Sequence, residues 1–342
     1  MSWKQTIGIE RNRKIFEEEL RDFLPDRILD FHVHVFSGAD LPPGIEYAID
    51  AGGNRIREYT VEELARDYDA LFPGRSCKAV CFGVPFPHLP TDANNAYVAG
   101  ACDGKRFFPL RLLRPEENPD DVERDVLENG FYGFKPYRDY AGKTDPEETE
   151  ILDFLPEKHV EIADRHGLVI MLHIPKKARL ADPSNQEQVA HLCTTYPRAK
   201  IVLAHAGRAY YLRGITGNLD RLRKLKNCYF DIAMVQNPEV LEYLFRTIES
   251  RRILFGTDIP IALAAGKAVE INDQYTYVTP IPWHLSISDD HEKLVFTSFA
   301  YEEIRAVRKA VARIREKESF VEDIFHRSGH NLLSTVETGK KS

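Results

Sequence analysis

The 342-residue chain has no apolar run approaching the ~20 residues of a membrane-spanning helix. Its first residues, MSWKQTIGIERNRKIFEEELRDFL, are charged throughout and lack the apolar centre of a secretion signal, so a cytoplasmic location is expected. There is no excess of basic charge: 46 Lys and Arg stand against 53 Asp and Glu, a net charge of −7. That balance argues against a general binder of nucleic acid or of anionic membranes. Cysteine is sparse and odd in number: Cys77, Cys81, Cys102, Cys193 and Cys228. No second Cys/His pair follows Cys77 and Cys81 at zinc-finger spacing, so reduced, buried thiols are expected. No G-x-G-x-x-G or Walker sequence follows an early strand, which removes the usual nucleotide-binding turn. No low-complexity linker or repeat longer than one strand–helix unit marks a second domain. The expected division is a helical extension over 1–26, one domain over 27–335 and a polar tail over 336–342.

What is present is an ordinary globular composition, 43% hydrophobic and 29% charged, in a chain long enough for a large core. Good helix formers from Glu10 to Leu24 carry an apolar stripe that Pro25 ends. Short apolar runs then recur, each followed by a helical pattern. The runs end near His34, Val84, Leu113, Tyr137, Ile174, Ala206, Met234 and Asp258. Helices are expected at about 60–71 (with Thr60 and Glu63 as a capping box), 95–102, 120–128, 148–166, 185–196, 218–225 and 238–248. Two more close the chain, at about 291–315 and 320–333. Continuous apolar runs suit parallel strands buried on both faces, and eight strand–helix units predict a (β/α)8 barrel. An open doubly wound sheet is the alternative. Long loops are expected after the first strand (37–60) and the last (259–290), and these, with 86–95, would shape substrate choice.

In such a barrel the chemistry sits at the C-terminal strand ends. The first strand, Ile28-Leu29-Asp30-Phe31-His32-Val33-His34, carries two imidazoles at i and i+2, which project to one side of a strand. Lys135, His173, His205 and Asp258 stand at four further strand ends. A lone strand-end histidine is commonly a hydrogen-bonded core residue. That explanation would have to hold separately at every one of these positions, each costly unless paired or metal-bound. Three imidazoles and a carboxylate suit Zn²⁺ with a position left for water.

These motifs, with Leu172-His173, Ala204-His205-Ala206-Gly207 and Ile253-Leu254-Phe255-Gly256-Thr257-Asp258-Ile259-Pro260, resemble the amidohydrolase superfamily. They are most similar to its amidohydrolase-related (amidohydrolase 2) branch, over about residues 28–333, with Ile324–Leu333 like its closing helix. The resemblance implies a metal-dependent enzyme. His32, His34 and His173 would be ligands, and Asp258 a ligand, proton acceptor or both. His205 would be a second-site ligand or the group that polarises substrate. Lys135 would be a carboxylated bridge between two metals, or an unmodified ammonium that holds a substrate carboxylate or oxyanion; one metal per chain is favoured. Two departures narrow the chemistry. Ile174-Pro175-Lys176 replaces the Glu that deaminases carry after the fifth-strand His, and Lys135 replaces the fourth-strand Glu of TatD-like nucleases.

The expected function is hydrolysis of a small-molecule amide, ester or lactone by metal-activated water, with Zn²⁺ favoured over Mn²⁺ or another divalent ion. Arg138 and Arg208, in loops after strand ends, are candidates for gripping a substrate carboxylate. Tyr275, Tyr277, Trp283 and His284 are candidates for a lid, a pocket wall or an interface. The alternatives are a metal-dependent non-oxidative decarboxylase of an aromatic or unsaturated acid, and a barrel that binds a ligand without turning it over. The partner expected is a small molecule, with neither nucleic acid nor membrane; homo-oligomerisation is left open.

Overall fold

The computed structural model describes residues 10–39, 47–48, 55–85, 90–145, 147–280, 286–289, 294–315 and 318–339. The apolar runs form eight parallel strands: β1 (Arg27–His34), β2 (Ser76–Phe82), β3 in two pieces (Phe107–Pro109 and Arg111–Leu113), β4 (Gly133–Pro136), β5 (Val169–Leu172), β6 (Lys200–Leu203), β7 (Cys228–Asp231) and β8 (Ile253–Leu254). Each pairs with the next in chain order. The Leu110 N–H donates to Cys81 O between the two pieces of β3. Between β8 and β1 the ring closes through Phe31 N–H to Phe255 O at 2.8 Å and a parallel bridge from Val33 to Ile259. This closed ring is the (β/α)8 barrel that the strand–helix alternation predicts.

Its interior is packed by Leu29, Phe31, Val80, Phe108, Met171 and Val202, with Leu332 and Leu333 of the closing helix Ser328–Ser334 below them. Outer strand faces such as Ile28, Ala79 and Ile201 join the larger core under the helices. That core includes Phe16 and Leu20, so the N-terminal extension is packed against the barrel layer. It is an α-helix over Glu10–Ile15 that continues as a π-helix over Phe16–Leu20, shorter than the pattern predicts.

The capping box at Thr60 and Glu63 forms, and starts the helix Val61–Leu71. Helices Pro119–Asn129, Pro183–Thr195 and Pro238–Thr247 lie where the sequence predicts them. Elsewhere the structure corrects the expectation. The helix predicted over 148–166 breaks into Ile151–Phe154 and Glu157–His166, because Pro156 lacks an N–H and pushes Leu155 out of the helical region. At 218–225 only a 3₁₀ turn, Leu222–Lys224, is found. There the Asn218 amide donates backwards to Arg213 O and Gly214 O instead of capping a helix. The helix predicted from 95 starts four residues earlier (Thr91–Ala101), and that predicted from 291 begins at Phe299, capped by Ser298.

The loop after β8 is not wholly irregular. It holds β9 (Lys267–Ile271) antiparallel to β10 (Gln274–Thr279), with β11 (Ser286–Ser288) parallel to β10. Most of the long loop after β1, and Trp283 and His284, lie outside the described residues. All five cysteines are free and buried. No helix among the described residues is long and apolar enough to cross a membrane.

Candidate active site

Polar side chains gather at the C-terminal mouth of the barrel, and β1 supplies two of them through an irregularity. Leu29 and Phe31 already face the barrel interior, so strict alternation would send His32 and His34 to the other side. The β1–β2 register slips between Asp30 and Val33. A slip of this kind changes which face later residues occupy, and His32 and His34 turn inward above the apolar layer. The end of β8 is tied to the same segment: Asp258 N–H donates to His32 O (2.8 Å) and His34 N–H to Ile259 O (2.8 Å). Buried Asp30 fixes the turn by accepting the Thr257 N–H (2.9 Å) and hydroxyl (2.5 Å). Gly256 is required there, because a Cβ would stand 2.9 Å from that of His32 and 3.3 Å from that of Ala233.

Three imidazoles are oriented from behind. His32 Nδ1 lies 3.0 Å from Asp231 Oδ2, His34 Nδ1 2.7 Å from Gly83 O, and His205 Nδ1 2.9 Å from Ala233 O. A carbonyl oxygen can only accept, so Nδ1 of His34 and His205 carries the proton and Nε2 offers a lone pair. The Asp231 carboxylate imposes the same tautomer on His32. His32 Nε2 and His34 Nε2 then lie 3.5 and 3.3 Å from Asp258 Oδ1. Ligand atoms of His32, His205 and Asp258 all fall within 4.8 Å of one another. His173 stands beyond His205, ring centroids 5.4 Å apart, and its buried Nδ1 has no hydrogen-bond partner among the described residues. Inward lone pairs from imidazoles, beside one carboxylate, fit a borderline divalent metal.

The electrostatics favour the unprotonated forms of His32, His173 and Asp258. Burial holds His32 well below the ordinary histidine range, assisted by the Lys135 charge; burial and then Arg208 do the same for His173. Burial would raise Asp258, but His32, His34 and His205 outweigh it and hold the carboxyl well below its usual range. Asp231 is raised by burial and partly offset by His205. Lys135 is fully buried, its Nζ 4.7 Å from the Phe82 ring centroid and 4.9 Å from that of Tyr137. It has no hydrogen-bond partner among the described residues. Burial lowers its pKa to about 8, with Asp231 and Asp258 opposing.

Of the residues singled out in the sequence, His32, His34, His205 and Asp258 come together, with Lys135 and His173 beside them. Arg208 reaches this rim, where Nη1 donates to Ile174 O at 3.0 Å. Arg138 follows β4 and is half-buried, 3.9 Å from Asp139. Tyr275 of β10 packs on Tyr210 (4.5 Å), which packs on His205 (5.9 Å). Three residues escape the sequence reading: Asp30, Asp231 and Arg179. Asp231 ends an apolar strand run in the same manner as Asp258, so the strand-end rule applied to β7 finds it. Seven of the nine described non-glycine residues with positive φ are Lys176, Arg179, His205, Ala206, Arg208, Met234 and Asp258, all in loops leaving β5 to β8. Strain of this kind persists where surrounding contacts enforce it, commonly at functional sites.

A sequence model of the amidohydrolase family matches residues 29–277. No curated protein matches the sequence. Solved structures share the fold at low identity. An amidohydrolase from Burkholderia multivorans with bound zinc is 14% identical, with a TM-score of 0.58 over 90% of this chain and 99% of its own. Amidohydrolase 2 from Bifidobacterium longum subsp. infantis is 15% identical, with a TM-score of 0.55 over 91% and 99%. A probable 2-pyrone-4,6-dicarboxylic acid hydrolase from Acinetobacter baumannii, with citric acid bound, is 15% identical, with a TM-score of 0.56 over 90% and 99%.

Proposed function

This chain belongs to the amidohydrolase family, and we propose that it is a metal-dependent hydrolase of a small-molecule ester, lactone or amide. The observation that carries this reading is the set of imidazoles anchored through Nδ1 by Asp231, Gly83 and Ala233, with Nε2 lone pairs turned toward Asp258. A divalent ion bound there, with zinc the best match to the donors, supplies Lewis acidity toward a carbonyl oxygen and toward water. His32, His34 and Asp258 would hold it, joined by His173, as the family resemblance implies, or by His205, which stands nearer in this geometry. One ion fits this arrangement better than two. The buried Lys135 ammonium lies among the strand ends where a second cation would otherwise balance Asp231 and Asp258.

The remaining chemistry belongs to the chain. Asp258, ionised and the more accessible of the two site carboxylates (19% exposed against 0% for Asp231), accepts a proton from the attacking water and returns it to the leaving group. Lys135, an ammonium without a hydrogen-bond partner among the described residues, donates to the oxyanion that develops at the carbonyl. Arg138 and Arg208 hold a substrate carboxylate at the rim. The tyrosine wall from Tyr210 to Tyr277 limits access of bulk water. The unit that does this is proposed to be residues 27–335.

A decarboxylase is the second reading, favoured by one observation: Lys135, with a pKa of about 8, is a suitable acid for protonating a carbanionic carbon. Turnover of a panel of lactones, esters, amides and unsaturated carboxylic acids by metal-loaded protein separates the two. Ring opening or acyl cleavage without CO₂ supports the hydrolase; stoichiometric CO₂ overturns it in favour of the lyase.

A further inference from the structure

Two buried polar side chains tie the loop leaving β7 to the helix Phe299–Ile314, and they are paired differently. Gln236 is used at both ends: Nε2 donates to Phe299 O (3.2 Å) and Oε1 accepts the Ala268 N–H (2.7 Å). Glu303 is fully buried, and its Oε2 accepts the Met234 N–H at 2.8 Å. Its other oxygen, Oε1, has no hydrogen-bond partner among the described residues. A half-satisfied acid in a packed core is costly, and such a group calls for an explanation in what its one contact achieves.

The N–H that Glu303 accepts belongs to the same peptide group as the carbonyl that orients His205. Ala233 O accepts from His205 Nδ1 at 2.9 Å, and the Met234 N–H is the other end of that planar unit. Asp231 Oδ1 secures the preceding backbone by accepting the N–H of Ala233 (3.1 Å) and that of His205 (2.8 Å). Glu303 is the matching contact on the following side, where Met234 is held in left-handed backbone (φ 59°) that needs enforcing contacts. When an acceptor draws on the amide proton, resonance moves electron density to the carbonyl oxygen, and the bond from His205 strengthens. Burial pushes the Glu303 carboxyl well above the usual range; the Met234 N–H opposes this, and the charges of Asp30, Asp231 and Asp258 add to it. Glu303 therefore acts as a neutral acid that accepts through its carbonyl oxygen, as an amide would.

We propose that Glu303 is a positioning residue of the site: acting through the Ala233–Met234 peptide, it fixes the proton of His205 on Nδ1 and keeps the Nε2 lone pair free. It reaches the site from the helical layer outside the barrel, 98 positions along the chain from the imidazole it governs. The proposal rests on the hydrolase reading only for the use to which His205 is put.

Two-bond proton–nitrogen spectra of the full chain, with its histidines isotopically labelled, test this without turnover. Spectra are taken before zinc is added, because a bound ion would itself fix the tautomer. The His205 signals are assigned by their absence in His205→Gln, and those of His34, held on Gly83 O, serve as the internal control. Wild type should show His205 as the Nδ1–H tautomer alone. Glu303→Met, which keeps length and loses the acceptor, should lose that single pattern and show the Nε2–H form as well, with His34 unchanged. Glu303→Gln, whose amide oxygen can still accept from Met234, should restore it. Should Glu303→Met fail to fold, Glu303→Asp, which withdraws the carboxyl by one methylene, must show the same mixture. A single Nδ1–H tautomer at His205 in the folded Met or Asp variant overturns the proposal, as does a change that His34 shares. A chain with the expected tautomers that binds no zinc and hydrolyses nothing would sink only the hydrolase reading. A zinc-dependent hydrolase whose His205 ignores Glu303→Met would sink only the role of Glu303.

Discussion

His32 Nδ1 and Asp231 Oδ2 lie 3.0 Å apart with both side chains buried, and the other oxygen of Asp231 accepts the His205 N–H at 2.8 Å. One carboxylate from β7 therefore orients an imidazole on β1 and the backbone that carries the imidazole after β6. Asp231→Asn keeps the shape but removes the charge that fixes the His32 tautomer. Metal affinity should fall about 10- to 100-fold, the usual cost of losing such a partner. Competition against a fluorescent chelator measures it; unchanged affinity would show that Asp231 only packs.

The close approach of Gly256 to His32 makes a second test. In Gly256→Ala the new Cβ, built 2.9 Å from that of His32, must displace the imidazole or β8. Overpacking of this kind typically costs about 1–3 kcal/mol. The expected outcome is a lower denaturation midpoint together with weaker metal binding. Wild-type values for both would show that the strands have room to separate.

Lys135 predicts a pH-dependent stability. Its folded-state pKa of about 8 is below the ordinary 10.5 because burial disfavours the ammonium. Between those values, as pH falls, the unfolded chain takes up a proton that the folded chain does not, so the native state loses stability through that window. Below about pH 8 the penalty is fully present, at about 3 kcal/mol on the linkage scale, and above 10.5 it is absent. Lys135→Met should therefore be more stable than wild type to urea at pH 7, by up to about that amount, with the gain shrinking toward pH 10.5. Catalysis should fall in the same variant. A Met variant less stable at pH 7 would show that the ammonium is held by favourable contacts.

The last imidazole of the metal set is separable by paired variants. If His205 completes it, His205→Ala lowers metal stoichiometry and His173→Ala does not; if His173 does, the pattern reverses. Metal content of the two purified variants, side by side, decides between them.

Much of the barrel is legible in the sequence because buried parallel strands are short continuous apolar runs, and the polar residues that end them stand out: His32, His34, Lys135, His173, His205 and Asp258. Other features depend on tertiary detail. The direction in which His32 and His34 point is set by the register slip after Asp30, which no side-chain pattern encodes. Asp231 is less visible than Asp258 because it works from behind a histidine, and its role exists only through the contact of β7 with β1. Arg179 reads as part of the solvated run Lys176-Lys177-Ala178-Arg179 until Lys176 is seen to be paired and Arg179, among the described residues, is not. The hairpin of β9 and β10 did leave a signal, alternating residues on either side of Asn272-Asp273, obscured by the prolines further along the segment.

Metal content per chain tests the central claim most directly. Protein purified without chelator is assayed by elemental analysis, as wild type and as His32→Ala, with hydrolysis followed before and after chelation. The account predicts about one divalent ion per wild-type chain, zinc foremost, lost in His32→Ala, with turnover lost and restored alongside it. Turnover that persists in wild type stripped of metal, or in a His32→Ala chain that binds none, would contradict it.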